Sequence, residues 1–354
     1  MGEAVETGSS QTRPTIYDVA KAAGVAPSTV SRAFSRPGRV NAETADRIRR
    51  VAHELGYRTS PIGRGVPDGR TALLAIVVAD LTNPFFFEII RSAEKTAIDS
   101  GYTLLVADAH ESSGAERRAL ERTLPLVEGV VLATSRLSDA AIRAVAKQRP
   151  TVVMNRVVAD VPSVVTDNAQ GMRRAVEHLA GLGHTRLTYL AGPEASWADG
   201  MRWRAFREAT QELGLRARRL GPFAPTLAGG LSAAQALTTH SATATVAYND
   251  LVAIGTMRGL TRLGIDVPRD LSVVGFDNIF GSDFCTPPLT TVASPLRHFG
   301  TFAVQRLLNQ LRAPSAAPSA GLSAPALLPA KLVERGSTSR PLPSDTRSPG
   351  RLRP

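Results

Sequence analysis

The 354-residue sequence has a single cysteine, Cys285, so no intrachain disulfide can form. Its first residues, "MGEAVETGSSQTRP", are polar and acidic and lack the cationic start and apolar run of a secretion signal. A reducing, cytoplasmic setting is therefore expected. Long hydrophobic runs are missing too: "TALLAIVVADL" meets a charge at Asp80, well short of the roughly 20 residues that cross a bilayer, which excludes a membrane-spanning role. Catalytic patterns are equally scarce. The six histidines show no metal-ligand spacing, Cys285 has no histidine near it in sequence, and neither a GxSxG elbow nor a phosphate loop occurs. Neither an enzyme, a metal site nor a cofactor is expected.

The length suits two or three domains with a sizeable core. The formal net charge is +11, and residues 13–70 alone carry a net +6. A dense basic stretch of this kind suits a polyanion such as nucleic acid, the alternative being a basic surface without a partner.

Local patterning gives that stretch a shape. Thr15 is placed to cap a helix in which Ile16, Val19, Ala20 and Ala23 recur at i, i+3, i+4 and i+7, with Asp18 in its first turn and Gly24 ending it. After "GVAP", Pro27 stands at a first helical position. At 100° per residue Val30, Ala33 and Phe34 then cluster on one side, with Ser28, Ser31 and Arg32 opposite. Asn41 can cap a third helix carrying Ile48, Val51, Ala52 and Leu55. Three apolar stripes close a small core and leave short hydroxyls and a long cation facing outward, the chemistry of a helix that enters a major groove.

The segment "TIYDVAKAAGVAPSTVSRAFSRPGRVNAETADRIRRVAHELGY" resembles, without a gap, the DNA-binding headpiece of the LacI/GalR family of bacterial transcription regulators. The likeness extends over nearly the whole chain. It implies a helix-turn-helix unit over 14–58 whose DNA contacts come from Thr15, Tyr17, Pro27, Ser28, Thr29, Ser31, Arg32 and Asn41, with Pro27 and Ser28 choosing bases. Ala26 stands where the family usually has a capping Ser or Thr, a loss typically of about 1 kcal/mol. Residues 1–13 are expected to be a disordered N-terminus.

Residues 59–71, "TSPIGRGVPDGRT", read as a linker by their glycines and prolines. They are a flexible tether or, with Ser60 as cap and Pro67 as stop, a one-turn helix. The resemblance implies the second: a hinge that becomes helical on DNA and inserts Val66, beside Arg64, into the minor groove, where relatives have leucine.

From Leu73 onward, apolar runs such as "LLAIVV", "TLLVA", "GVVLA", "TVVM", "RLTYLA", "ATVAY" and "LSVVGF" alternate with helical stretches, the pattern of doubly wound α/β lobes with parallel sheets. Two groups, 72–160 and 163–290, imply two lobes with a ligand cleft at the carboxyl ends of the strands. Phe85, Phe86, Asn155, Arg156, Asn249, Phe276 and Asp277 follow those ends, and Arg202 opens a helix after "LAGP". Rings beside Arg, Asn and Asp suit a neutral polyol. Phe85 and Phe86 have core as their other reading, and Asp250 is read as the cap of the helix "LVAIGTMRGL".

Through "NPFF", "YNDLVAIG" and "VVGFDN" this domain looks like the effector domain of the same family and like periplasmic monosaccharide-binding proteins. The likeness implies that Phe85, Phe86 and Phe276 sandwich a sugar while Asn155, Arg156, Arg202, Asn249 and Asp277 hydrogen-bond it, with Phe223 as a further face. Purine binders rely on other residue types at positions matching Ser196 and Ala198, so a sugar-like effector is expected. "RAPSAAPSAGLSAPALLPA" reads as a loop and "AKLVERGST" as a last strand, so the effector-binding and dimerisation domain spans 72–338. A disordered tail, 339–354, follows, and without a leucine heptad it points to a homodimer. The expected protein is an effector-controlled regulator, most often a repressor in this family, on palindromic operator DNA. A solute-binding protein for sugar transport is the alternative.

Overall fold

In the computed structural model, which describes residues 14–35, 38–57, 71–312 and 324–342, the chain divides into two units, Met1–Ala72 and Leu73–Pro354. The first unit holds α1 (Ile16–Ala23), α2 (Pro27–Ser35) and α3 (Ala42–Glu54). Val19, Ala20, Ala23, Val30, Ala33, Ala45, Ile48 and Ala52 form its core, with Phe34 and Tyr57 packed on it at a ring separation of 6.2 Å. Gly24 ends α1 in the left-handed region, φ 64°, where a side chain would be strained. One expectation is corrected here: α3 stops at Glu54, leaving Leu55 as a 41% exposed cap, and Tyr57 covers the core in its place.

The second unit is two α/β lobes. The sheet of the first runs β11-β5-β4-β3-β1-β2, built from β1 (Leu73–Val78), β2 (Thr103–Asp108), β3 (Gly129–Ala133), β4 (Thr151–Met154), β5 (Ser163–Thr166) and β11 (Ala326–Leu328), every pair parallel. On one face lie α4 (Phe85–Asp99) and α12 (Leu296–Arg312), and on the other α5 (Ser113–Thr123) and α6 (Asp139–Gln148).

The sheet of the second lobe runs β12-β10-β9-β8-β6-β7, from β6 (Arg186–Leu190), β7 (Arg216–Leu220), β8 (Ala244–Ala247), β9 (Ser272–Asp277), β10 (Thr290–Ala293) and β12 (Lys331–Val333). Only β12 is antiparallel. It lies between α7 (Asn168–Gly181) with α8 (Trp197–Glu212) and α9 (Leu227–Leu237) with α10 (Asp250–Arg262). A short α11 (Gly281–Phe284) follows β9.

The chain crosses between the lobes three times, after β5, β10 and β11. The crossings are tied together by Asp167 N–H to Leu328 C=O at 2.8 Å and Thr166 Oγ1 to Ser294 Oγ at 3.4 Å. Ala326–Leu328, expected as loop, is thus a strand that closes the edge of the first sheet, and the last strand is confined to Lys331–Val333. The expected tail also begins too early, because Ser339 is held on the second lobe by Ser272 Oγ at 3.0 Å and Pro268 C=O at 3.1 Å. Arg64 and Val66 lie outside the described residues, as do the rest of the proposed hinge before Thr71, residues 1–13 and residues 343–354. Among the described residues, no helix is long and apolar enough to cross a membrane.

Candidate functional site

In the first unit, the spacing that buries Val30 and Ala33 leaves Pro27, Ser28, Ser31 and Arg32 exposed along α2, with Thr29 half-buried. Thr15 precedes α1, and its N–H and hydroxyl donate to Asp18 Oδ2 at 2.6 and 2.7 Å. Tyr17 beside it is 70% exposed. Asn41 caps α3, accepting from Glu43 N–H at 3.0 Å. The proposed contact residues are thus on the surface around α2, and the sequence offers no carboxylate on α2 to oppose a phosphate.

In the second unit the two sheets present the carboxyl ends of their strands to one cleft. Backbone strain marks it: His110 and Glu111 after β2, Thr134 after β3, Asn155 after β4, and Asp277 and Asn278 at β9 all have positive φ. Such conformations persist where surrounding structure holds them, and they gather at ligand sites.

Arg202 is the hub. It is 2% exposed, its Nε donates to Asn168 Oδ1 at 2.9 Å, Nη1 to the Tyr248 carbonyl at 2.5 Å and Nη2 to Asp277 Oδ1 at 3.2 Å. Its guanidinium lies 3.6 Å from the Phe276 ring centroid. Phe276 therefore stacks on a cation in this conformation, with its ring in the second-lobe core. Phe85 and Phe86 meet edge to face at 5.1 Å and belong to the first-lobe core with Ile279. Phe85, Phe86 and Phe276 are all buried, at 4%, 2% and 0% exposure, the first two in the first-lobe core and the third in the second-lobe core. Burial raises the Asp277 carboxyl to about 7, against the opposing pull of Arg202, and nearby Asp250 adds to the rise.

On the first-lobe side, Arg156 donates to the carbonyl of Leu137 at 2.6 Å and to Asp139 Oδ1 at 2.6 Å. Its Nε, with Asn155 Oδ1 and Thr134 Oγ1, is buried without a hydrogen-bond partner. Unpaired buried polar atoms are costly, and these three lie at neighbouring strand ends.

Two contributors, Arg136 and Tyr248, escaped the sequence reading. Arg136, just past β3, pairs with Glu111 at 2.7 Å, and nearby Tyr248 and Glu111 help hold its guanidinium in the charged form. Tyr248 also bonds Ser196 Oγ at 2.9 Å, and its ring lies so close on Gly192 that a Cβ there would come within 2.5 Å of it. The position of Arg136 just beyond a strand end was the available signal.

The cap that the sequence reading gave to Asp250 is supplied by Asn249 instead. Asn249 caps α10, accepting from Val252 N–H at 2.9 Å, and its amide donates to Pro225 C=O at 3.4 Å. Asp250 does not cap: fully buried, it accepts from Ile279 N–H, Ser282 Oγ and Thr291 Oγ1 at 2.8, 2.7 and 2.5 Å. Phe223, half-buried, packs against the α9–α10 side of the second lobe.

Residues 15–60 match bacterial regulatory proteins of the lacI family, and residues 176–338 match a periplasmic binding protein-like domain. The HTH-type transcriptional repressor CytR of Escherichia coli K12 is 34% identical over 343 residues, covering 94% of this chain and 98% of its own. The lac repressor dimer bound to operator and the anti-inducer ONPF is similar at TM-score 0.76 and 27% identity, over 93% of this chain and 100% of that one. A LacI family regulator from Enterococcus faecalis V583 with bound ribose is similar at TM-score 0.69 and 27% identity, over 76% and 99%. With a matching headpiece, a matching two-lobed domain and a repressor alike from end to end, the chain belongs to the lacI family of bacterial regulatory proteins.

Proposed function

We propose that the protein is a transcriptional repressor that binds a palindromic operator as a homodimer, with operator affinity set by a neutral, sugar-like molecule held between the lobes. The DNA-binding contacts are those assigned to Thr15, Tyr17, Pro27, Ser28, Thr29, Ser31, Arg32, Asn41, Arg64 and Val66. The observation that carries the effector class is charge balance: Arg202 faces Asp277, Arg136 faces Glu111 and Arg156 faces Asp139. Among the described residues each of these three cations already has a carboxylate partner, while unpaired Asn155 Oδ1 and Thr134 Oγ1 are free to accept hydroxyl donors. Phe85, Phe86 and Phe223 supply apolar faces as the lobes move, and Asn249 orients through its cap. Relatives such as CytR are repressors by name, and a neighbour holds ribose, in line with this reading.

A solute-binding role for transport leaves the headpiece without purpose, and no reaction is assigned. A second copy is expected to cover the exposed rings of Phe87, Phe280 and Phe284, whose centroids lie 6.1 and 5.4 Å apart on one side of the two lobes.

The test is thermal unfolding of the full chain against pentoses, hexoses, their phosphates and nucleosides, with Arg202→Ala as control. One neutral sugar is expected to raise the midpoint by several degrees in the wild type alone and to release operator in a fluorescence anisotropy assay. A response to phosphorylated sugars only would refute the neutral-ligand reading.

A further inference from the structure

A cavity of about 440 Å³ opens at the amino ends of β6 and β7, the end of the second sheet opposite the cleft. Its formation follows from strand periodicity. The parallel register sets Arg186 beside Arg216 and Thr188 beside Arg218, and alternation turns all four to one face of the sheet. Arg219, one residue on, turns to the other face and pairs with Asp199 at 3.0 Å.

The electrostatics of this cavity differ from those of the cleft. Arg186, Arg216 and Arg218 all line it and no carboxylate does. Among the described residues none of the three side chains has an ion pair or hydrogen bond, whereas every arginine of the cleft has a carboxylate. His240 also lines it; its Nδ1 lies 2.8 Å from the Ala236 carbonyl and so donates there, leaving Nε2 as the ring atom available to the cavity.

Cations on an edge strand are a common guard against edge-to-edge pairing, and that accounts for Arg216 and Arg218 on β7. It does not account for Arg186. That residue is half-buried on β6, an inner strand flanked by β7 and β8, where an unpaired charge beside two like charges is unfavourable unless a counter-ion comes. Guanidinium forks match phosphate oxygens in pairs, and the cavity has the size of a small-molecule site.

We propose that this cavity is a second ligand site, for a small phosphate-bearing anion, giving the second lobe an input separate from the cleft. The site does not depend on the effector reading above.

The experiment titrates the full chain with inorganic pyrophosphate at constant ionic strength, with chloride as the ionic-strength control, reading the unfolding midpoint and calorimetric binding. The expected result is a saturable midpoint rise of several degrees. Binding is expected to weaken at least tenfold in Arg186→Gln/Arg218→Gln and to persist in Asp277→Asn. Arg218→Gln alone, at an exposed position, gives the same direction if the double variant folds poorly. A rise no larger than chloride produces, or one that survives in both arginine variants, overturns the proposal. So does a result in which oligoglutamate or duplex DNA, and not pyrophosphate, depends on these arginines.

Discussion

Asp277 stands in the cleft with one cation, Arg202, as its ion-pair partner, and burial still holds its carboxyl up at about 7. A ligand hydroxyl that donates to this carboxylate favours the ionised form, so binding should expel a proton. Effector affinity is therefore expected to rise as pH goes from about 6 to about 8, and calorimetry in buffers of different ionisation enthalpy reads the released proton. A pH-independent affinity would contradict this role. The same raised carboxyl acts on stability. The folded state binds more protons than the unfolded state between the ordinary Asp value near 4 and about 7, so stability falls across that window as pH rises. Asp277→Asn should flatten that slope in a pH series of unfolding midpoints. Arg202→Ala removes the opposing cation, so it should push Asp277 further up and abolish the effector response, with operator affinity unchanged.

At the level of elements, what the sequence disclosed depended on how local each cause was. The headpiece helices were legible because caps and apolar stripes are short-range: Gly24 and Asn41 act where their residue types suggest. The strands β1, β3, β4 and β9 were legible as buried apolar runs. By contrast β7 reads "RARRL", whose charges hide an edge strand, and β11 lies in an alanine- and proline-rich stretch where only pairing with β5 makes a strand. Asn249 and Asp250 are adjacent potential caps, and the choice between them was made by a distant event. The α11 segment folds back and offers Ile279 N–H and Ser282 Oγ to Asp250, with Gly275 kept bare because a Cβ would fall 2.1 Å from its carboxylate. Asp250→Ala strands those donors and should cost about 2 kcal/mol, a midpoint fall of about 5 °C. Faster amide exchange should be concentrated in 278–285. Ala26→Ser should act oppositely at α2, adding a cap worth about 1 kcal/mol and slowing exchange over residues 27–35.

The whole molecule joins two chemistries that the structure keeps in separate units: an exposed basic helix face and a charge-balanced cleft. Operator binding should therefore weaken steeply with salt, by a slope near −0.9 per phosphate contact released, while neutral-effector binding stays nearly flat. Arg32→Ala should lower operator affinity and leave the effector response intact, the reverse of the Arg202 result. In the proposed homodimer, association of the two copies would connect them. A palindromic site is read by two headpieces, so a monomer engages only half of it. Phe280 and Phe284, 59% and 70% exposed, lie against the half-exposed Phe87 of the first lobe, so a copy seated on them touches both lobes and feels any change in the cleft. Phe280→Asp with Phe284→Ser should give a monomer by sedimentation, with a large loss of operator affinity and an unchanged effector-induced midpoint rise. If that variant remains dimeric and still binds operator, the copies meet on another surface, and the coupling between cleft and headpiece runs through a different face of the lobes.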